Sequence, residues 1–148
     1  MSEAWSKGLY HQIARVILRD KTGSILLQKR GPTMEVHPNR WTDSASGHVD
    51  FKEDGATAAK RELCEELGLS VDLKYLGMFL TKFAIEDKTI NTYNLVFEGV
   101  IDKRSPLNLD SVEVSDTRWI TAENLKKKLL QEPETFTPYL ALISDKYL

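Results

Sequence analysis

The chain has 148 residues, 41% of them apolar and 28% charged, with a formal charge of −2. That length and apolar content suit one ordinary domain spanning residues 1–148, and the near balance of charge excludes a protein driven onto nucleic acid by a basic surface. Cys64 is the only cysteine, which excludes an intramolecular disulfide, and no apolar run is long enough to span a membrane, so a cytoplasmic location without a membrane partner is expected.

In chain order, Gln12–Arg19 and Ser24–Lys29 are β-rich runs joined across Asp20-Lys21-Thr22-Gly23, the pattern of a hairpin. Gly31–Arg40 carries two prolines and no sustained period, which predicts a loop. Trp41–Ala45 predicts a short strand leading to Gly47. Ala56–Leu67 is rich in helix formers and free of proline, with Gly68 placed to stop it, which predicts a helix of about three turns. Leu76–Ile85 and Ile90–Ile101 form a second strand pair around Glu86-Asp87-Lys88, and a strand at Thr117–Ile120 follows the loop centred on Pro106. Thr121 is placed to cap a helix through Leu130, where Lys126-Lys127-Lys128 reads as a solvated face. Pro138 suits the first turn of a final helix.

Within the first helix, Glu62, Glu65 and Glu66 stand at i, i+3 and i+4, while Ala56, Ala59, Leu63 and Leu67 mark an apolar face. The expectation is a helix packed on one side and acidic on the other, with Cys64 half-buried and inert beside the packed face. Like charges at this spacing repel, more so in a cleft, so a compensating cation is the natural explanation, and hard Mg²⁺ or Mn²⁺ fits an all-carboxylate set. Gly47 precedes the helix by a short loop, where the missing side chain lets the backbone approach a metal or phosphate and frees its carbonyl as a ligand. Glu53 and Arg61 supply an opposite-charge pair able to fix that loop and orient the glutamates.

The segment from Gly47 to Leu69, GHVDFKEDGATAAKRELCEELGL, resembles the Nudix hydrolase box, G-x5-E-x7-R-E-U-x-E-E-x-G-U with U aliphatic, at all nine specified positions. The resemblance implies an α/β fold, an α/β/α sandwich around a mixed β-sheet, and hydrolysis of a nucleoside diphosphate derivative or a related small-molecule diphosphate. It also implies metal binding by Gly47, Glu62, Glu65 and Glu66, with Arg61 and Glu53 supporting them. Glu113, before the Trp119-Ile120-Thr121 corner, lies where many members place a further glutamate as metal ligand or general base; Asp110 and Asp116 are nearby alternatives. Water on the metal would attack phosphorus in line, with Glu62 or Glu113 removing its proton. Many relatives dimerise, and exposed edge strands would permit a homodimer here.

The flanks HQIARVILRDKTGSILLQKR and RWTDSASGHVD resemble the branch related to isopentenyl-diphosphate isomerase. His11 and His48 coincide with two metal-binding histidines of that enzyme. Ser46 stands where it carries its catalytic cysteine, Thr92 near its catalytic glutamate, and Ala4 at a further histidine ligand. Serine is too weak an acid or base to replace a tuned thiol, so a hydrolase on a related frame is favoured over an isomerase. A non-catalytic nucleotide sensor is the other alternative, disfavoured by the intact glutamate set. Selectivity is less legible: Met34, His37 and Arg40 could border the entrance, and Phe83 and Tyr93 could stack on a base, though strand aromatics more often pack in the core.

Overall fold

The computed structural model describes residues 10–148. Strands β1 (Tyr10–Arg19) and β2 (Ile25–Arg30) meet at a turn organised by Asp20. Its carboxylate accepts from the backbone N–H groups of Thr22 and Ser24 at 3.1 and 2.9 Å. The expected hairpin is present but short, with Leu18 opposite Leu26 and Arg19 opposite Ile25. The strands then fork, and Ser44 bridges the fork: its hydroxyl donates to Leu26 O (2.6 Å) and accepts from Leu18 N–H (2.8 Å).

Beyond the fork, β2 pairs with β3 (Trp41–Thr42) and β7 (Val114–Ile120), while β1 pairs antiparallel with β4 (Ala45–His48). On its other side β1 runs parallel to β6 (Lys88–Val100), which pairs with the edge strand β5 (Lys74–Ile85). Among the described residues the sheet therefore has seven strands and is mixed. Helix α1 (Gly55–Leu67) covers one face, where Ala14, Val16, Leu18 and Leu26 meet Ala58, Ala59, Leu63 and Leu67. The alternate strand residues Ile17, Ile25 and Leu27 meet Leu125 of α2 (Ala122–Gln131) and Leu140 and Ile143 of α3 (Pro138–Tyr147) on the other face. Each fully buried leucine or isoleucine contributes about 1.5–3 kcal/mol, so the two-sided pattern holds helices on both faces. The expected α/β/α sandwich is the observed one. Among the described residues no helix is long and apolar enough to cross a membrane.

Most element boundaries fall within a few residues of expectation, and the departures have local causes. The strand expected over residues 41–45 is two strands, broken where Asp43 and Ser44 are buried and spend their side chains on core links. β7 begins three residues earlier than expected because β2 offers it a partner out to Arg30, across an irregularity between Lys29 and Arg30. Thr121 caps α2 as expected, accepting from Asn124 N–H at 3.2 Å.

Two expectations for α1 are corrected. Its buried stripe comprises Ala58, Ala59, Glu62, Leu63, Glu66 and Leu67, while Ala56 is exposed. Apolar and acidic residues thus share one buried face, because i and i+4 glutamates fall beside the i+1 and i+5 leucines; Glu65 alone of the three is exposed. Cys64, expected half-buried, is exposed on the opposite side of that stripe.

Candidate active site

Helix α1 starts at an Asp54 cap, whose side chain accepts from Thr57 N–H at 2.8 Å, and stops at Gly68, whose φ of 70° suits a residue without Cβ. Between these caps the helix presents Glu62 and Glu66 to the β1–β4 side of the sheet. One carboxylate oxygen each from Glu62, Glu66 and Glu113 lie within 4.8 Å of one another. At an effective dielectric of ~20, two charges at such a distance repel by about 3 kcal/mol, so the set is unfavourable unless protonated or neutralised.

Glu66 is 2% exposed. Its Oε1 accepts from Gln28 Nε2 at 2.7 Å and from Ser46 N–H at 3.3 Å, while Oε2 is buried with no hydrogen-bond partner. Burial, reinforced by Glu62, pushes its pKa well above the ordinary carboxylate range. Glu113 is pushed up as well, by burial and then by the charges of Glu62, Asp110 and Glu65. An orphaned buried oxygen beside two further carboxylates is a hard-oxygen donor set, and it fits a divalent cation such as Mg²⁺ or Mn²⁺.

Gly47 on β4 is needed for this geometry. A Cβ there would fall 2.1–2.5 Å from the Glu62 carboxylate atoms, so the glycine makes the space that Glu62 occupies. Arg61 then ties loop to helix. Its Nε and Nη2 donate to Glu53 at 2.9 and 3.0 Å, Nη2 also to His48 O at 2.9 Å, and Nη1 to Glu62 Oε1 at 2.8 Å. The Arg61 hydrogen bonds hold the Glu53 carboxyl down to about 2. Glu65 is not in the triad: its side chain is 56% exposed and lies 3.3 Å from Arg61 Nη1.

Glu113 reaches the triad through a strap that the sequence hid. Asp110 Oδ1 accepts from the N–H groups of Val112 and Glu113 (2.9 and 2.8 Å), and Asp110 N–H donates to Glu66 O at 3.0 Å. Gly31 N–H donates to Glu113 O at 2.9 Å, and a Cβ on Gly31 would lie 1.9 Å from Val112 O. Asp110 therefore holds the backbone at Glu113, and Asp116 accepts from Thr117 N–H within β7.

A cavity of about 400 Å³ opens beside the triad, lined among others by Gly47, Glu62 and Glu113. Met34 and His37 border it as expected, whereas Arg40, Phe83 and Tyr93 do not line it. Phe83 instead packs edge-on against Tyr139, their ring centroids 5.5 Å apart. His11 and His48 line the cavity with rings 5.0 Å apart, and burial lowers the pKa of both, that of His48 to about 4. Ser46 and Thr92 are also in the wall, and Ala4 lies outside the described residues. Sequence reasoning missed Gln28, Gly31, Arg15, Arg30 and Tyr139. For the first four the signal was polar or glycine residues placed in or next to otherwise apolar strands, and Tyr139, on α3, left none.

A family model for the Nudix domain matches residues 9–140. An isopentenyl-diphosphate Δ-isomerase 2 of Photorhabdus laumondii is 33% identical over 138 residues, covering 93% of this chain and 77% of that protein. A prenyl-diphosphate phosphatase of Methanosarcina mazei is 34% identical over 140 residues, covering 93% of this chain and 79% of its own. In fold, the chain is similar to the crystal structure of a MutT Nudix hydrolase from Burkholderia pseudomallei, with a TM-score of 0.76 at 18% identity over 94% and 98% of the two chains.

Proposed function

The chain belongs to the Nudix family and is a hydrolase acting on diphosphate bonds, and we propose that it cleaves the diphosphate linkage of a nucleoside diphosphate derivative or a related small-molecule diphosphate with Mg²⁺ or Mn²⁺. The observation that carries the metal assignment is the Glu62, Glu66 and Glu113 cluster, with Glu66 Oε2 buried and unpartnered. Glu62, Glu66 and the Gly47 carbonyl would hold the ion, with Glu65 joining by leaving Arg61. When bound, the ion would supply Lewis acidity toward the diphosphate and the attacking water. Glu113 or Glu62 would accept the proton of the attacking water. Arg61 and Glu53 keep Glu62 and the β4 loop in register throughout. The same proposal places the enzyme in the cytoplasm, with a small molecule and not nucleic acid as its partner.

The prenyl-diphosphate phosphatase among the relatives supports including prenyl diphosphates in the substrate panel. Allylic isomerisation needs an acid and a base on opposite sides of an alkene. Ser46 and Thr92 occupy the cavity wall where the resemblance to the isomerases places cysteine and glutamate, which supports hydrolysis over isomerisation.

The test is product-resolved turnover with Mg²⁺ and with Mn²⁺ across nucleoside diphosphate sugars, dinucleoside polyphosphates, nucleoside di- and triphosphates and prenyl diphosphates, beside Glu66→Gln. Metal-dependent cleavage of one class, lost in Glu66→Gln, is expected. Tight binding of one member without cleavage of any would sink the proposal in favour of a sensor, and an isomerised product without phosphate release would return it to the isomerases.

A further inference from the structure

Arg15 is a buried cation on the wall of the active-site cavity, 5% exposed, and the hydrolytic chemistry assigned to the glutamates makes no use of it. Its guanidinium is clamped. Nε donates to Asn94 Oδ1 at 2.7 Å, Nη1 to Asp43 Oδ1 at 3.2 Å, and its central carbon lies 3.9 Å from the centroid of the Tyr139 ring. Asn94 is fixed in turn, donating to Thr81 Oγ1 at 3.1 Å and Phe79 O at 3.2 Å. These two hydrogen bonds engage Nε and Nη1 and not Nη2.

An arginine so fully oriented at a cavity, with Nη2 outside these two bonds, is a preorganised acceptor-binding fork. A second guanidinium shares this cavity with it. Asp43 offsets one positive charge, but Arg30 lines the same cavity, and its Nε donates to the neutral carbonyl of Val36 at 2.8 Å. Burial and then the Arg15 charge pull the Arg30 guanidinium below its ordinary value, as expected of two cations sharing a water-poor wall.

Position relates the fork to the chemistry. Arg15 is the register partner of Ser46 across β1 and β4, and Ser46 N–H donates to Glu66 Oε1. The Arg15 backbone therefore lies one cross-strand step from a residue bonded to Glu66, and its side chain lines the same cavity as Glu62 and Glu113. Behind it the wall is closed by Asn94, Asp43 and Tyr139, which are 0%, 1% and 8% exposed. His11, Ile13, His48 and Ile90 line other parts of the cavity, where an organic group can lie.

We propose that Arg15 binds the terminal, unsubstituted phosphate of the substrate, so that this enzyme takes organic diphosphate monoesters in preference to diphosphates substituted at both ends. The proposal rests on the hydrolase assignment. A terminal phosphate brings an extra negative charge and three free oxygens to the fork, whereas a second substituent would have to occupy the closed wall. Water adds to phosphorus and the bridging P–O bond breaks. An organic monophosphate and inorganic phosphate leave, with one proton released to solvent at neutral pH.

The test is calorimetric titration, with Mg²⁺ present, of the methyl monoester and the P,P′-dimethyl diester of methylenediphosphonate, which resist hydrolysis. The wild-type protein is expected to bind the monoester at least ~10-fold more tightly. Arg15→Gln combined with Asp43→Asn, which leaves no buried carboxylate unpaired, should bring the two affinities within ~3-fold of each other. If that variant does not fold, Arg15→Lys, which keeps the charge but not the fork, must itself lower the preference by at least ~3-fold. Equal binding by the wild type overturns the proposal, as does a preference that survives these changes, since the metal would then be its source. Turnover of isopentenyl diphosphate and UDP-glucose separates the two claims. Arg15-dependent monoester binding without turnover of either leaves the fork and removes the hydrolase, and UDP-glucose cleaved with the higher kcat/KM removes the fork and leaves the hydrolase.

Discussion

Replacing Gly47 with alanine should separate the fold from its chemistry. The new Cβ would lie 2.1–2.5 Å from the Cδ, Oε1 and Oε2 atoms of Glu62, well inside van der Waals contact. What it meets is the end of a flexible side chain, so the fold can yield by rotating Glu62 off its position at a cost of about 0.5–1.5 kcal/mol. For a domain of this size that lowers Tm by only ~2–6 °C. The carboxylate, however, must move by about 1 Å or more, away from Glu66, Glu113 and the 2.8 Å hydrogen bond of Arg61. A misplacement of that size costs about 10²-fold in rate. Circular-dichroism melts, metal titration by calorimetry and kcat on the best substrate of the panel measure the three effects separately. A Gly47→Ala protein with normal kcat and metal affinity would show that Glu62 does not work from the observed position, whereas a protein that fails to fold would show that the strand rather than the side chain bears the clash.

Gly31→Ala should behave differently, since its Cβ would meet Val112 O, a backbone atom, at 1.9 Å; a stability loss of about 1–3 kcal/mol is expected together with lost activity, because the Glu113 strap must shift, and unchanged urea midpoints would refute it. Glu65→Gln and Glu66→Gln should each lower kcat by about 10²-fold or more, and Glu66→Gln should in addition raise the metal-free Tm by removing a buried carboxyl that resists ionisation; full activity in either variant would remove that residue from the ligand set. Stability against pH should carry two opposite signatures. The Glu66 carboxyl, raised in the folded state, contributes stability below its ordinary 4.5 that is lost as pH rises toward its folded value, so Mg²⁺, which needs the ionised form, should raise Tm more at neutral pH than at pH 4.5. The Glu53 carboxyl, lowered to about 2, contributes stability above 4.5 that is lost as pH falls toward 2, and Arg61→Gln should abolish that acid limb in differential scanning fluorimetry.

The α1 helix, its caps and the Glu53–Arg61 pair were legible in the sequence because they are local. Capping, helix propensity and an i, i+3, i+4 spacing act within one or two turns, and the box fixes Gly47, Glu53, Arg61 and the glutamates within one short segment. Even there, burial was misjudged for Ala56 and Cys64: which flank of a helix faces the sheet is set by β1 and β4, not by the helix. What tertiary structure alone decided is the company the glutamates keep. Gln28 comes from β2, Glu113 is strapped down by Gly31 and Asp110, and Arg15 is aimed by Asn94, 79 residues away, and by Tyr139. These contacts join strands that pair at long range, and a side chain's single partner across a sheet leaves no periodic trace in the chain. The sequence by itself therefore determined α1, its caps and the Gly47–Glu53 loop before it, because capping and side-chain spacing act within a few residues. The shape and charge of the cavity in front of them were settled only when β1, β2, β4 and α3 came together, since burial and charge pairing exist only between elements already packed.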